Sequence, residues 1–158
     1  MDETFWKEPI VKEYAPIPPL TSADSPLKAL GVRAIRLLQE QDFYTALETF
    51  RDPSQGFFEL EESGLHLLGF TRDGTVFMDN SGQTKPGMDI GTILGVQGEP
   101  ILPRFLQAAT DPNGGLLTLP EVWPNPVTQV VSPLSAWCGL LTQNDVICVL
   151  AWATGKDR

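Results

Sequence analysis

The chain reads as one α+β domain in which helices come first and an antiparallel sheet closes the sequence. Three observations predict this class. Apolar residues recur at spacings of three and four before residue 52, and tight turn residues separate short apolar runs from residue 64 onward. The strand-like runs also follow the helical ones in blocks instead of alternating with them along the whole chain. With 158 residues, 42% of them hydrophobic and 20% charged, there is apolar material for one core and one domain.

Taken in order, residues 1–24 read as an irregular lead-in, because Pro16, Pro18 and Pro19 remove donors and fix the backbone. The domain proper is expected over 25–154. Ser25 can cap a helix, Pro26 suits its first position, and Leu27, Leu30, Ala34 and Leu38 form one apolar face. Asp42 can cap a second, shorter helix carrying Phe43, Ala46, Leu47 and Phe50, which should end near Arg51, Asp52 and Pro53. Two strands, over 65–70 and 75–78, flank Arg72-Asp73-Gly74, and an Asp-Gly turn between apolar runs marks a hairpin. Gly82, Pro86, Gly87, Gly91, Gly95 and Gly98 then predict a long surface loop. A helix over 102–110 tolerates Pro103 in its first turn, and Asp111-Pro112-Asn113-Gly114-Gly115 is a turn. Strands over 116–123, 128–141 (broken at Pro133) and 146–152 bring the sheet to about five strands.

Composition excludes several function classes. A net charge of -9 without a Lys/Arg cluster disfavours nucleic acid and anionic membranes as partners. No apolar run reaches the roughly 18 to 20 residues of a membrane span. The start from Met1 to Glu8 is acidic and unlike a secretory leader, which leaves a cytoplasmic location open. Cys138 and Cys148 lie too far apart for a CxxC motif. They flank the turn residues Gln143-Asn144-Asp145, so a hairpin could set them opposite one another as a bridge, or they are two buried thiols.

Catalytic patterns are weak. His66 is the single histidine, which cannot by itself make a common metal site, and neither Ser132 nor Ser135 sits in a nucleophile elbow. Glu59, Glu61 and Glu62 read as a solvated loop. Gly87, Gly91 and Gly95 do not join a strand to a helix as a phosphate loop does, so no nucleotide or other cofactor is implied. On its strand His66 shares a face with Leu68 and Phe70, where it either lines a pocket or is a hydrogen-bonded structural residue.

From the hairpin on, the order of motifs carries a resemblance. The stretch 65–78, LHLLGFTRDGTVFM, resembles an aromatic strand leading through D-G into a second strand that ends L-A-H-P. Lys85-Pro86-Gly87-Met88-Asp89-Ile90 is similar to a loop written L-V-G-K-N-L, and Trp123-Pro124-Asn125-Pro126-Val127-Thr128 to W-x-N-P-V-T. Val131 to Trp137 stands where such proteins carry V-x-P-K-x-x-Y. These patterns resemble single Cache domains over about residues 27–152. The resemblance implies a PAS-like antiparallel sheet with a long N-terminal helix and flanking short helices. It also implies a pocket on one sheet face for small metabolites, commonly carboxylates or amino acids, and a periplasmic or extracytoplasmic place in signal transduction.

Three positions depart from the pattern. Asp79 stands where the histidine of H-P is expected, Leu134 where a lysine would pair a ligand carboxylate, and Glu121 near a pocket tyrosine. A carboxylate needs cationic or N–H donors in a dry cavity, so the exchange favours a cationic or neutral ligand held among Phe70, Trp123 and Trp137. Asp79 is alternatively a turn residue closing its strand. The expected site is therefore His66, Leu68, Phe70, Asp79, Glu121, Trp123, Ser135 and Trp137, in a non-enzymatic sensory module. The other reading is a degenerate, ligand-free dimerisation or interaction module, with a homodimer through the N-terminal helix and a signalling partner downstream.

Overall fold

The computed structural model describes residues 13–61, 63–95, 97–112, 114–119, 123–126 and 128–152. Helix α1 (Pro26–Glu40) begins where Ser25 Oγ accepts the Leu27 N–H at 3.1 Å, and α2 (Phe43–Arg51) where Asp42 accepts from Thr45. The hairpin follows as β1 (His66–Thr71) and β2 (Val76–Asp79), then α3 (Leu102–Ala109). Three strands close the chain: β3 (Gly115–Leu119), β4 (Leu134–Leu140) and β5 (Asp145–Trp152). All five strands form one antiparallel sheet in the order β2-β1-β5-β4-β3. The first and last strands are thus neighbours at its centre.

Two layers cover the sheet. On one face α1 and α2 bury Val32, Ile35, Leu38, Ala46 and Phe50 against Leu67, Met78, Trp137, Ile147 and Val149. On the other face α3 and the 80–101 segment bury Phe105, Ile90 and Ile101 against Leu68, Phe70, Leu134, Ala136, Leu150 and Trp152. Alternation along each strand sorts residues between these layers, as a pleated sheet demands. The apolar face of α1 is spent on the sheet. Ala29, Arg33, Arg36 and Glu40 remain as its outward surface.

Several sequence expectations change in detail. The strand expected over 128–141 begins only at Leu134. Pro133 has no N–H for a ladder, and the preceding chain folds on itself: Gln129 N–H bonds Asn125 O, Gln129 has φ 60, and Val131 pairs with Pro124. The long loop does more than cross the surface. It inserts fully buried Ile90 and Ile101, and it covers the outer edge of β2 through Val76 N–H to Met88 O (2.8 Å) and Gly87 N–H to Val76 O (2.8 Å). The lead-in is also anchored where it is described: Ala15 N–H bonds Leu141 O, and Gln39 Nε2 bonds Ala15 O, each at 2.9 Å.

Cys138 and Cys148 are directly opposite in the β4–β5 pairing, with Cα atoms 4.1 Å apart, and they form a disulfide. The bridge faces α3 and is buried.

Candidate functional site

The face beneath α3 brings together five of the expected residues. His66, Leu68 and Phe70 project from β1, Asp79 lies opposite Leu68 on β2, and Trp123 approaches from the segment before β4. Val76 faces Phe70, whereas Phe77 and Met78 both pack toward α2, because an irregularity between Gly69 and Phe70 absorbs one residue of β2. That extra residue restores Asp79 to the α3 side.

Ser135 and Trp137 are not brought to this face. Leu134, Ala136 and Cys138 of the same strand point toward α3, so alternation turns Ser135 and Trp137 toward the α1 side. Trp137 is wedged against α1, where a Cβ on Gly31, Gly114 or Gly139 would overlap its ring. Its Nε1 is buried without a hydrogen-bond partner among the described residues. Glu121 lies outside the described residues.

Two groups of aromatic rings organise the α3 face. Phe105 of α3 stands between Phe70 (5.9 Å between centroids, planes tilted by 60°) and Trp123 (6.0 Å, stacked at 22°). At the other end the His66 ring lies on Trp152 at 5.5 Å and 17°. Trp152 Nε1 donates to Trp123 O at 2.8 Å, which ties the two groups together. Trp123 is half-buried at the rim, whereas Phe70 and Phe105 are fully enclosed. Sequence reasoning missed Phe105. It fell on a helix whose facing was not readable from periodicity over eight residues.

The polar groups are strongly constrained. Asp79 accepts four hydrogen bonds: from the N–H and hydroxyl of Ser81 (2.8 and 2.6 Å) and from those of Thr84 (2.9 and 2.7 Å). Its carboxylate therefore closes the turn after β2 as an Asx-type residue. Its Oδ1 lies 3.8 Å from His66 Nε2, with both side chains buried. Gly64 O lies 2.8 Å from His66 Nδ1, and a carbonyl can only accept, so Nδ1 carries the proton. Burial pushes the His66 pKa below 6.5, against the opposing pulls of Asp79 and the Gly64 carbonyl. The imidazole is neutral at pH 7. The next residue, Asn80, was also missed: its Oδ1 accepts from Leu67 N–H, and its Nδ2 donates to the carbonyls of Phe50 and Phe57, joining β1 to the end of α2.

Among the described residues the buried polar side chains are His66, Thr84, Asn125, Ser132 and Thr142, so no Lys or Arg is buried in this face, and Leu134 is fully buried within it. The described face thus presents one saturated carboxylate, one neutral imidazole and aromatic rings.

A concavity lies on the α2 side of β2. Phe43, Tyr44, Leu47 and Arg51 of α2, with Phe77, Asp79, Asn80 and Pro86, enclose a groove of about 300 Å3. Among the described residues no helix is long and apolar enough to cross a membrane.

No family model matches the sequence, and no curated protein does. Solved structures match the fold. A methyl-accepting chemotaxis protein from Vibrio parahaemolyticus superposes with a TM-score of 0.59 at 17% identity, over 78% of this chain and 82% of that one. A periplasmic sensor domain of a chemotaxis protein gives 0.53 at 17% identity, over 80% and 85% of the two chains. A Cache chemosensory domain, whose structure was described for carboxylic acid recognition, gives 0.55 at 12% identity over 80% and 86%. The chain has the fold of a single Cache, PAS-like sensor domain.

Proposed function

We propose that this Cache-type domain is a non-enzymatic sensory module whose α3-side face receives a small neutral or cationic molecule at the Trp123 rim. The observation that carries the reading is the run of rings Phe70–Phe105–Trp123, which leads from the enclosed sheet to a half-buried ring on a face where no described Lys or Arg is buried. Aromatic faces attract cations and accept neutral rings, whereas a carboxylate there would lose its water without gaining a cation. Recognition of a carboxylic acid, as in the similar Cache domain, would need a cation where Leu134 stands. The Cys138–Cys148 bridge supports an oxidising, extracytoplasmic compartment, since such bonds persist outside the reducing cytosol.

A thermal-shift panel of amines, neutral metabolites and carboxylates tests this. A true ligand raises the unfolding temperature with concentration, by an amount equivalent to roughly 2.7 kcal/mol at a hundredfold excess over Kd. Trp123→Ala should abolish the shift without unfolding the protein. Stabilisation by carboxylates alone would end the reading.

One observation favours the second reading, a ligand-free interaction module: Leu68, Phe70, Ile90, Ile101, Phe105 and Leu134 are each at most 1% exposed. A face so filled is a packed core, and it predicts no shift with any class of small molecule.

A further inference from the structure

The groove between α2 and β2 differs from the α3 face in its chemistry. Its walls are Phe43, Tyr44, Leu47, Phe77 and Pro86, and its volume of about 300 Å3 matches a small aromatic molecule. Phe43 meets Tyr44 edge-on at 5.9 Å and Phe77 at 6.1 Å, so two rings line one side while Tyr44 stands 78% exposed at the lip.

The polar groups in its floor are already engaged. Asn80 spends both amide atoms on Leu67, Phe50 and Phe57, and Asp79 turns its carboxylate away to the α3 side, where Ser81 and Thr84 fill both oxygens. Arg51 is different. It is exposed in the last turn of α2, and among the described residues it has no ion-pair or hydrogen-bond partner. A guanidinium offers a planar fork of donors that a carboxylate fills bidentately.

We infer that this groove is a second binding site, for an aromatic monocarboxylate whose ring lies against Phe43 and Phe77 and whose carboxylate pairs with Arg51. A cation is repelled by Arg51 and finds no free acceptor in the floor. A neutral ring gains the aromatic contact but not the charge-assisted bonds. The site thus selects the charge opposite to that proposed for the α3 face.

Phenylacetate, benzyl alcohol and phenethylamine share a ring and differ in charge, so amide-resolved NMR titration of the whole chain with each is the test. Phenylacetate should give saturable shifts centred on Phe43, Tyr44, Arg51 and Phe77, with benzyl alcohol weaker and the amine absent. Arg51→Gln, at an exposed position that leaves folding intact, should weaken phenylacetate roughly tenfold or more and erase its advantage over the alcohol. Trp123→Ala should leave the titration unchanged, which separates this site from the α3 face. Absent saturation, equal binding of the amine, an unaffected R51Q protein, or shifts centred on Trp123 and Phe105 would each overturn the inference.

Discussion

At the scale of single residues, His66 and Gly31 carry the sharpest consequences. The folded state holds His66 neutral beneath Trp152, with its pKa lowered mainly by burial. The unfolded chain therefore takes up the proton at higher pH than the folded one does. Stability is full above 6.5 and falls as pH drops from there toward the folded pKa, by at most about 1.4 kcal/mol per pH unit. Urea midpoints should decline across this window in the native protein and stay level in His66→Phe, which keeps a ring on Trp152. A flat native curve between about pH 7.5 and 5 would refute the assignment. Asp24, Asp42, Asp52 and Asp73 are held below 3.8 by local hydrogen bonds, so the stability they lend disappears only in more acid solution. Gly31 is a steric prediction. Its Cα faces the Trp137 ring so closely that a methyl group there would overlap it. Gly31→Ala, although favourable for an isolated helix, should cost about 1 to 3 kcal/mol through overpacking. Calorimetry showing a stabilised variant would contradict the packing described.

At the scale of elements, what was legible in the sequence is what is decided locally. Ser25 and Asp42 cap their helices as their side-chain chemistry predicts, and Asp73-Gly74 closes the hairpin, with Gly74 at φ 97. Those devices act within three or four residues. Strand alternation was equally readable, but it divides residues between two faces without saying which helix covers which. Only the tertiary arrangement turned Ser135 and Trp137 toward α1 and put Phe105 between Phe70 and Trp123. The segment before β4 misled for a related reason: its ordering comes from Asn125 and a bridge to Pro124, not from periodicity. The disulfide sits between these cases, because the turn after Leu141 fixes the register that sets Cys138 opposite Cys148. It closes a sequence separation of 10 residues, for which the chain-entropy account gives about 2 to 3 kcal/mol. The double variant Cys138→Ala/Cys148→Ala should unfold at lower urea by that amount while remaining folded in water. An unchanged midpoint would mean that the hairpin supplies the constraint without the bond.

At the scale of the molecule, the sheet is a wall between two helical layers. Strand β5 is flanked by β1 and β4, and Val146 to Leu150 are all buried, whereas β3 is an edge with Leu116 59% exposed. Local opening should cost most at the centre and least at that edge. Hydrogen exchange should accordingly be slowest in β5, slow in β1 and β4, and fastest in β3, with β2 protected in part by the loop bonded to its outer side. The proposed sensory role adds a directional expectation. A molecule binding at the Trp123 rim touches the α3 layer first, yet α1 lies across the sheet on Trp137, Ile147 and Val149. For a signal to reach α1, binding must favour one arrangement of the shared strands, because a ligand shifts an equilibrium only by its differential affinity for the two states. Exchange measured with and without a stabilising ligand should therefore slow in α3 and the 85–101 segment, then in β4 and β5, with a smaller change in α1. Protection confined to α3 would describe a binding domain that transmits nothing through the sheet. Protection confined to α1 would place the ligand on the wrong face.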